Sequence, residues 1–172
     1  MKERLISFTD DMQQASRDGR KTQFRRVVKV NYGKKKQIPC EPHFTDTDGV
    51  LFECDEYGDY YKFTDVHKCP YGVVGDRLRS GDLLLEITGL RVERLQCLSR
   101  EDALAEGIEV SSWAYSCSPY RNYMKDKPGG GELHHSTPEM SVISLWDSIN
   151  GKKHPWKSNP FVWVIEFKRI DK

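Results

Sequence analysis

Phe161-Val162-Trp163-Val164-Ile165-Glu166-Phe167-Lys168 is the run of residues from which the fold class is best predicted. It is rich in β-branched and aromatic residues, which favour strands. Its period of two predicts a strand in which alternate residues from Phe161 to Phe167 share one side. A second strand is predicted at Leu83-Leu84-Leu85-Glu86-Ile87, where Leu83, Leu85 and Ile87 point inward.

Short helices and a third strand are predicted around these two runs. The helices have capping residues at their starts and glycines at their ends. They run from Thr9 or Asp10 to Gly19, from Ser99 to Gly107, and from Thr137-Pro138 to Gly151. Between the first helix and Asn31, the valines of Lys21 to Val30 favour a strand. Few helices among irregularly spaced strands indicate the α+β class.

The chain is expected to form one domain over residues 1–172, because its length suits a single domain of ordinary size. Residues 31–69 are rich in turn signals and contain short aromatic and aliphatic runs, which predicts a hairpin inserted in a long loop. Residues 111–137 show no period and predict a flexible loop. The rest of the chain would form the folded core.

The charges are balanced overall but not along the chain. The 27 Lys and Arg residues nearly match the 26 Asp and Glu residues, for a net charge of +1. Residues 17–36 are strongly basic, however, and residues 41–65 are strongly acidic. The basic block could bind phosphates through counterion release. Alternatively, the two blocks neutralise each other on a solvated surface.

The five cysteines predict reduced thiols rather than a disulfide framework, because their number is odd and the N-terminal sequence lacks the apolar run of a secretory signal. Some of them lie near histidines at spacings that could hold a structural zinc. The window is Cys40, His43, Cys54, His67 and Cys69. It contains no C-x-x-C pair, so partly buried thiols are the preferred interpretation, and we predict no metal and no cofactor.

Glu106 is the carboxylate that its position singles out. It occupies the last turn of the Ser99 helix, where the helix dipole disfavours a negative charge. Such a residue is either an indifferent surface group or a functional one, and it would suit proton transfer if it met a lysine in a pocket. Lys21 is the candidate lysine, although a lysine within a basic block is commonly just solvated. The common hydrolase, P-loop, metalloprotease and dehydrogenase motifs are absent from the sequence.

Several motifs together resemble an ASCH domain of the PUA-like superfamily, and the longer signature is similar to the ASCH-like proteins of tailed phages and prophages. The motifs lie in the expected order and span both ends of the chain. They are Met1-Lys2-Glu3-Arg4, Gly19-Arg20-Lys21-Thr22-Gln23, Gly75-Asp76-Arg77-Leu78, the segment from Leu98 to Gly107, the segment from Leu145 to Lys152, and Trp163-Val164-Ile165-Glu166-Phe167.

The resemblance implies a small, partly open β-barrel with flanking helices and a cleft beside the G-x-K-T motif. It implies binding of RNA or a modified nucleoside, with DNA as a further possibility, in the cytoplasm of a bacterial host cell. Arg20, Lys21, Arg25 and Arg26 would meet phosphate or carbonyl oxygens there. No membrane partner is expected, because no stretch approaches the length of an apolar span.

The resemblance also implies an alternative activity, because some ASCH proteins are amidohydrolases that deacetylate N4-acetylcytidine with a lysine, a threonine and a glutamate. The lysine matches Lys21 and the glutamate matches Glu106. Phe24 stands where the threonine is expected, so the nucleophile would be Thr22 or a water molecule. The chain also looks shortened after Leu78. A ribonuclease and a protein that binds a host protein remain two further alternatives.

Overall fold

The computed structural model describes residues 1–29, 43–45, 50–54, 60–62, 69–111, 117–124 and 134–170. The strands are β1 (Glu3–Leu5), β2 (Gln23–Val27), β3 (His43–Thr45), β4 (Val50–Cys54), β5 (Tyr60–Lys62), β6 (Arg77–Ser80), β7 (Leu83–Arg94), β8 (Tyr120–Arg121), β9 (His134–His135) and β10 (Phe161–Arg169). The helices are α1 (Asp10–Arg17), α2 (Arg100–Ala105) and α3 (Pro138–Asn150). Few helices with a mixed sheet confirm the predicted α+β class.

The residues form two compact units. The first comprises Met1–Ser7, Arg25–Glu93 and Val162–Lys172, and the second comprises Phe8–Phe24 and Arg94–Phe161. Among the described residues no helix is long and apolar enough to cross a bilayer.

The main sheet has five strands in the order β1-β6-β7-β10-β2. β1 is parallel to β6, whereas β6 is antiparallel to β7, the next strand along the chain. In β7, alternate side chains are buried as predicted, with Leu83, Leu85 and Ile87 fully enclosed. β10 lies inside the sheet between β7 and β2, and it is buried on both faces from Val162 to Ile165. Within the described residues this sheet is not closed into a barrel.

The predicted helix boundaries are confirmed. Thr9, Ser99 and Thr137 are the N-caps, and each side chain accepts a hydrogen bond from a backbone N–H in the first turn. Gly19 and Gly107 follow the first two helices with φ of 74° and 76°. Such left-handed backbone is the conformation for which a helix end selects glycine.

Three regions differ in detail from the sequence prediction. β2 starts at Gln23 rather than Lys21, because Lys21 instead forms an isolated antiparallel bridge with Glu106. The segment 31–69 holds a three-stranded antiparallel sheet, β3-β4-β5, where one hairpin was predicted. In the segment predicted as a flexible loop, 111–137, β8 and β9 pair with each other. Strands of two or three residues are too short to show a period.

Candidate functional site

The site lies in the second unit, at the point where the chain leaves α1 and meets the end of α2. Gly19 turns the chain, and the backbone N–H groups of Arg20 and Lys21 both donate to Ala15 O, at 2.9 and 3.0 Å. The N–H of Thr22 donates to Ala105 O at 2.9 Å. These bonds hold the predicted G-R-K-T motif against the last turn of α2.

Lys21 and Glu106, which are far apart in sequence, form a buried ion pair. Lys21 Nζ lies 3.1 Å from Glu106 Oε2, and it also donates to the carbonyl oxygens of Glu106 and Gln23, each at 2.8 Å. The side chain of Lys21 is 1% exposed and that of Glu106 is 8% exposed. Both side chains are therefore buried, and Glu106 is the less completely enclosed of the two.

Gly107 lets the pair form, because the chain passes very close to Lys21 at this position. A Cβ atom added to Gly107 would lie 2.5 Å from Lys21 Cβ and 3.2 Å from Ala15 Cβ. Carbon atoms in contact normally lie about 3.5–4.0 Å apart. The sequence identified Gly107 as the helix end, but it gave no sign of this close approach.

An aromatic pair lines the other side of the lysine. Phe8 is buried, and the centroid of its ring lies 5.7 Å from Lys21 Nζ, within cation–π range. Phe24 packs against Phe8 edge to face, with the ring centroids 5.5 Å apart. Phe24 is thus a buried packing residue at the position where the resemblance expects a threonine. Thr22, by contrast, is exposed.

Arg20 adds a surface cation to the site. One of its guanidinium nitrogens donates to Gly107 O at 3.3 Å, and another pairs with Asp18 at 3.0 Å. Its hydrogen bond to Asp18 lowers the pKa of that carboxyl group. The side chain of Arg20 is 42% exposed, so its remaining surface can meet a ligand.

Gln23 is a polar residue that the sequence analysis did not select. It is only 2% exposed, and its side-chain nitrogen Nε2 has no hydrogen-bond partner among the described residues. Its backbone oxygen accepts from Lys21 Nζ. A glutamine two residues after a candidate lysine was the available signal, since alternate residues of an extended segment share a face.

The structure therefore brings together four of the six predicted site residues: Arg20, Lys21, Thr22 and Glu106. Arg25 and Arg26 belong to the first unit. The Arg25 side chain is 2% exposed and donates to Glu93 at 2.8 Å. Arg26 donates to Ser7 O and to Arg25 O, at 3.3 and 3.1 Å. Because the Arg25 guanidinium is buried and paired with Glu93, it cannot contact a phosphate in this arrangement.

The possible zinc window lies largely outside the described residues. Only Cys69 of that set has a described side chain, and burial raises the pKa of its thiol to about 11. In the part of the chain that the structure describes, no three His, Cys, Asp or Glu side chains are grouped as a metal site would require.

Comparisons of the chain with models of protein families, with curated proteins and with solved structures found no significant match. The function is therefore argued from the geometry of the Lys21–Glu106 pair and its neighbours.

Proposed function

We propose that this chain is an ASCH-like domain that binds RNA or a modified nucleoside, with Glu106 as the group that contacts the base. The buried Lys21–Glu106 ion pair carries the proposal. Burying two charges costs several kcal/mol per ion in desolvation, and a well-packed apolar pair is commonly as stable. An ion pair that is kept despite this cost is therefore a candidate for function. The open five-stranded sheet is compatible with a PUA-like barrel that lacks closure.

Lys21 acts in this proposal as a fixed cation. An ammonium group has three N–H donors and no acceptor. Lys21 Nζ faces three acceptors, namely two backbone carbonyl oxygens and the Glu106 carboxylate. These partners match the charged form of lysine and hold it in place. Lys21 then serves to orient the Glu106 carboxylate, because the N–H donors of Lys21 are occupied.

Glu106 is suited to recognise a base that carries N–H groups. A carboxylate accepts hydrogen bonds only, and glutamate and aspartate accept from the exocyclic amino group of cytosine. Glu106 is slightly less buried than Lys21, at 8% against 1% exposed, so of the two it is the better placed to meet a ligand. A base in the site would therefore donate to Glu106 rather than contact Lys21 directly.

Arg20 is the residue that would contact a phosphate. It is the exposed cation that hydrogen-bonds to Gly107, the residue next to Glu106. Phosphate contacts give affinity that falls with salt, whereas contacts to a base edge give selectivity. Arg20 and Glu106 thus divide the two tasks between them.

Calorimetric titration with cytidine, N4-acetylcytidine and cytidine monophosphate tests the proposal. We expect Glu106→Gln to weaken binding of all ligands that donate to it by about 10-fold or more, the usual value of a hydrogen bond to a charged group. Arg20→Ala should weaken the monophosphate and not the nucleoside, and Arg17→Ala is its matched control on α1. Binding of none of these ligands, nor of a short RNA, by folded protein would refute the proposal.

Deacetylation of N4-acetylcytidine is a second candidate function, favoured by the convergence of Lys21, Thr22 and Glu106 at one place. Thr22 is exposed and tied to Ala105, directly beside Glu106. Chromatography for released cytidine tests it, with Lys21→Ala and Thr22→Val as variants. Release that Thr22→Val abolishes identifies the threonine as nucleophile. Release that survives in Thr22→Val but not in Lys21→Ala indicates attack by water.

A further inference from the structure

We infer that Gln23 is a specificity-determining residue of this site and that its side-chain amide donates a hydrogen bond to a carbonyl oxygen of the bound base. The inference rests on the proposed function and extends it, because it names which bases fit. It starts from an amide nitrogen that is buried and has no partner in the described part of the chain.

An unpartnered buried donor is costly. A buried N–H without an acceptor loses its hydrogen bonds to water and gains nothing in return. A methionine or leucine of similar volume would fill the same space without that loss. The loss of stability is explained if a bound ligand supplies the acceptor for this amide, because proteins accept such local losses at binding sites.

The position of Gln23 connects this donor to the site. Gln23 O accepts from Lys21 Nζ, so the residue is in direct contact with the ion pair. Lys21 Nζ also donates to the backbone oxygen and to the carboxylate of Glu106, so Gln23 and Glu106 meet at the same ammonium group.

Together, Gln23 and Glu106 form a donor and an acceptor within one site. A base that presents a carbonyl oxygen and an N–H group satisfies both. Cytosine and guanine each carry a carbonyl oxygen and an amino group, whereas adenine carries an amino group and no carbonyl oxygen. The pair should therefore favour cytidine and guanosine over adenosine, because a site built to hydrogen-bond a group discriminates against an analogue that lacks it.

The experiment measures ligand binding and thermal stability of the wild-type protein and of Gln23→Met. We expect the wild-type protein to bind cytidine about 10-fold more tightly than adenosine, as one net hydrogen bond allows. Gln23→Met should lose most of that preference by weakening cytidine alone. It should not lower the Tm of the ligand-free protein, because it removes an unpartnered polar group. Gln23→Glu, of the same shape, replaces the donor by an acceptor and should also lose the preference.

Two results would overturn the role of Gln23. One is a wild-type protein that binds adenosine as tightly as cytidine, a measurement that needs no variant to fold. The other is a Gln23→Met protein with a lowered Tm and unchanged selectivity, which would make the glutamine a structural residue. Binding of no nucleoside at all refutes the proposed function, and the role of Gln23 falls with it. Tight binding without base selectivity refutes the role of Gln23 alone.

Discussion

Replacing Gly107 by alanine should destabilise the second unit far more than the same change at Gly19. Both glycines follow a helix and have nearly the same left-handed φ, 76° and 74°. An alanine in that conformation costs roughly 1–2 kcal/mol at either position. The two sites differ in their surroundings, which makes Gly19→Ala the matched control.

Around Gly19 a new Cβ meets nothing within 4 Å, whereas at Gly107 it lies 2.5 Å from Lys21 Cβ and 3.0 Å from Lys21 Cα. Side-chain rotation cannot relieve this overlap, because both atoms move with the backbone. The backbone of Lys21 is itself held by its hydrogen bond to Ala15 O. Inserting an extra carbon atom into a well-packed region lowers the free energy of unfolding by about 1–3 kcal/mol. The expected total is roughly 2–5 kcal/mol for Gly107→Ala, against roughly 1–2 kcal/mol for Gly19→Ala.

Urea unfolding followed by circular dichroism measures the difference. With a slope of about 2 kcal/mol per M, an extra cost of about 1–3 kcal/mol lowers the midpoint by roughly 0.5–1.5 M relative to Gly19→Ala. Nucleoside binding should weaken in the same variant, since Lys21 must move. Equal midpoints for the two variants would show that the approach of Gly107 to Lys21 is not a tight contact, and would refute the packing argument.

Three further results are expected. Lys21→Met should cost about 3–5 kcal/mol because it leaves the Glu106 carboxylate buried without its cation, and adding Glu106→Gln should recover part of that loss in urea unfolding. Asp76→Asn should lower the free energy of unfolding more at pH 7 than at pH 3, because the hydrogen bond from Arg4 lowers the pKa of Asp76 in the folded protein. The stability that Asp76 contributes is present above its unfolded pKa of about 3.9 and is lost as the pH falls through the lower folded pKa. Equal costs at both pH values would contradict this assignment. Iodoacetamide at pH 8 should modify exposed Cys97 and Cys117 quickly and Cys69 slowly, since burial raises the pKa of the Cys69 thiol to about 11. Peptide mass spectrometry measures the order of modification, and early modification of Cys69 would contradict its burial.

Helices and strands whose signals are local can be predicted from the sequence alone. Helix starts depend on a capping side chain within one turn, and Ser99 and Thr137 accept the first-turn hydrogen bonds predicted for them. The strand from Phe161 and the strand from Leu83 were predicted because their residue types and alternation are strong over a sufficient length. Lys21 and Glu106 could be selected as candidates, one by its motif and the other by its place at a helix end.

Which of these residues contact one another depends on the fold of the whole chain. The contact between Lys21 and Glu106 joins positions 85 residues apart, and no local period encodes such a pairing. The structure also showed that Arg25 is buried and paired with Glu93, which its place in the sequence close to the G-R-K-T motif does not reveal. The unpartnered amide of Gln23 and the tight approach of Gly107 to Lys21 were likewise undetectable from the sequence. The physical reason is that burial and hydrogen-bond satisfaction depend on atoms brought in by distant segments, whereas propensity and capping depend on neighbours along the chain.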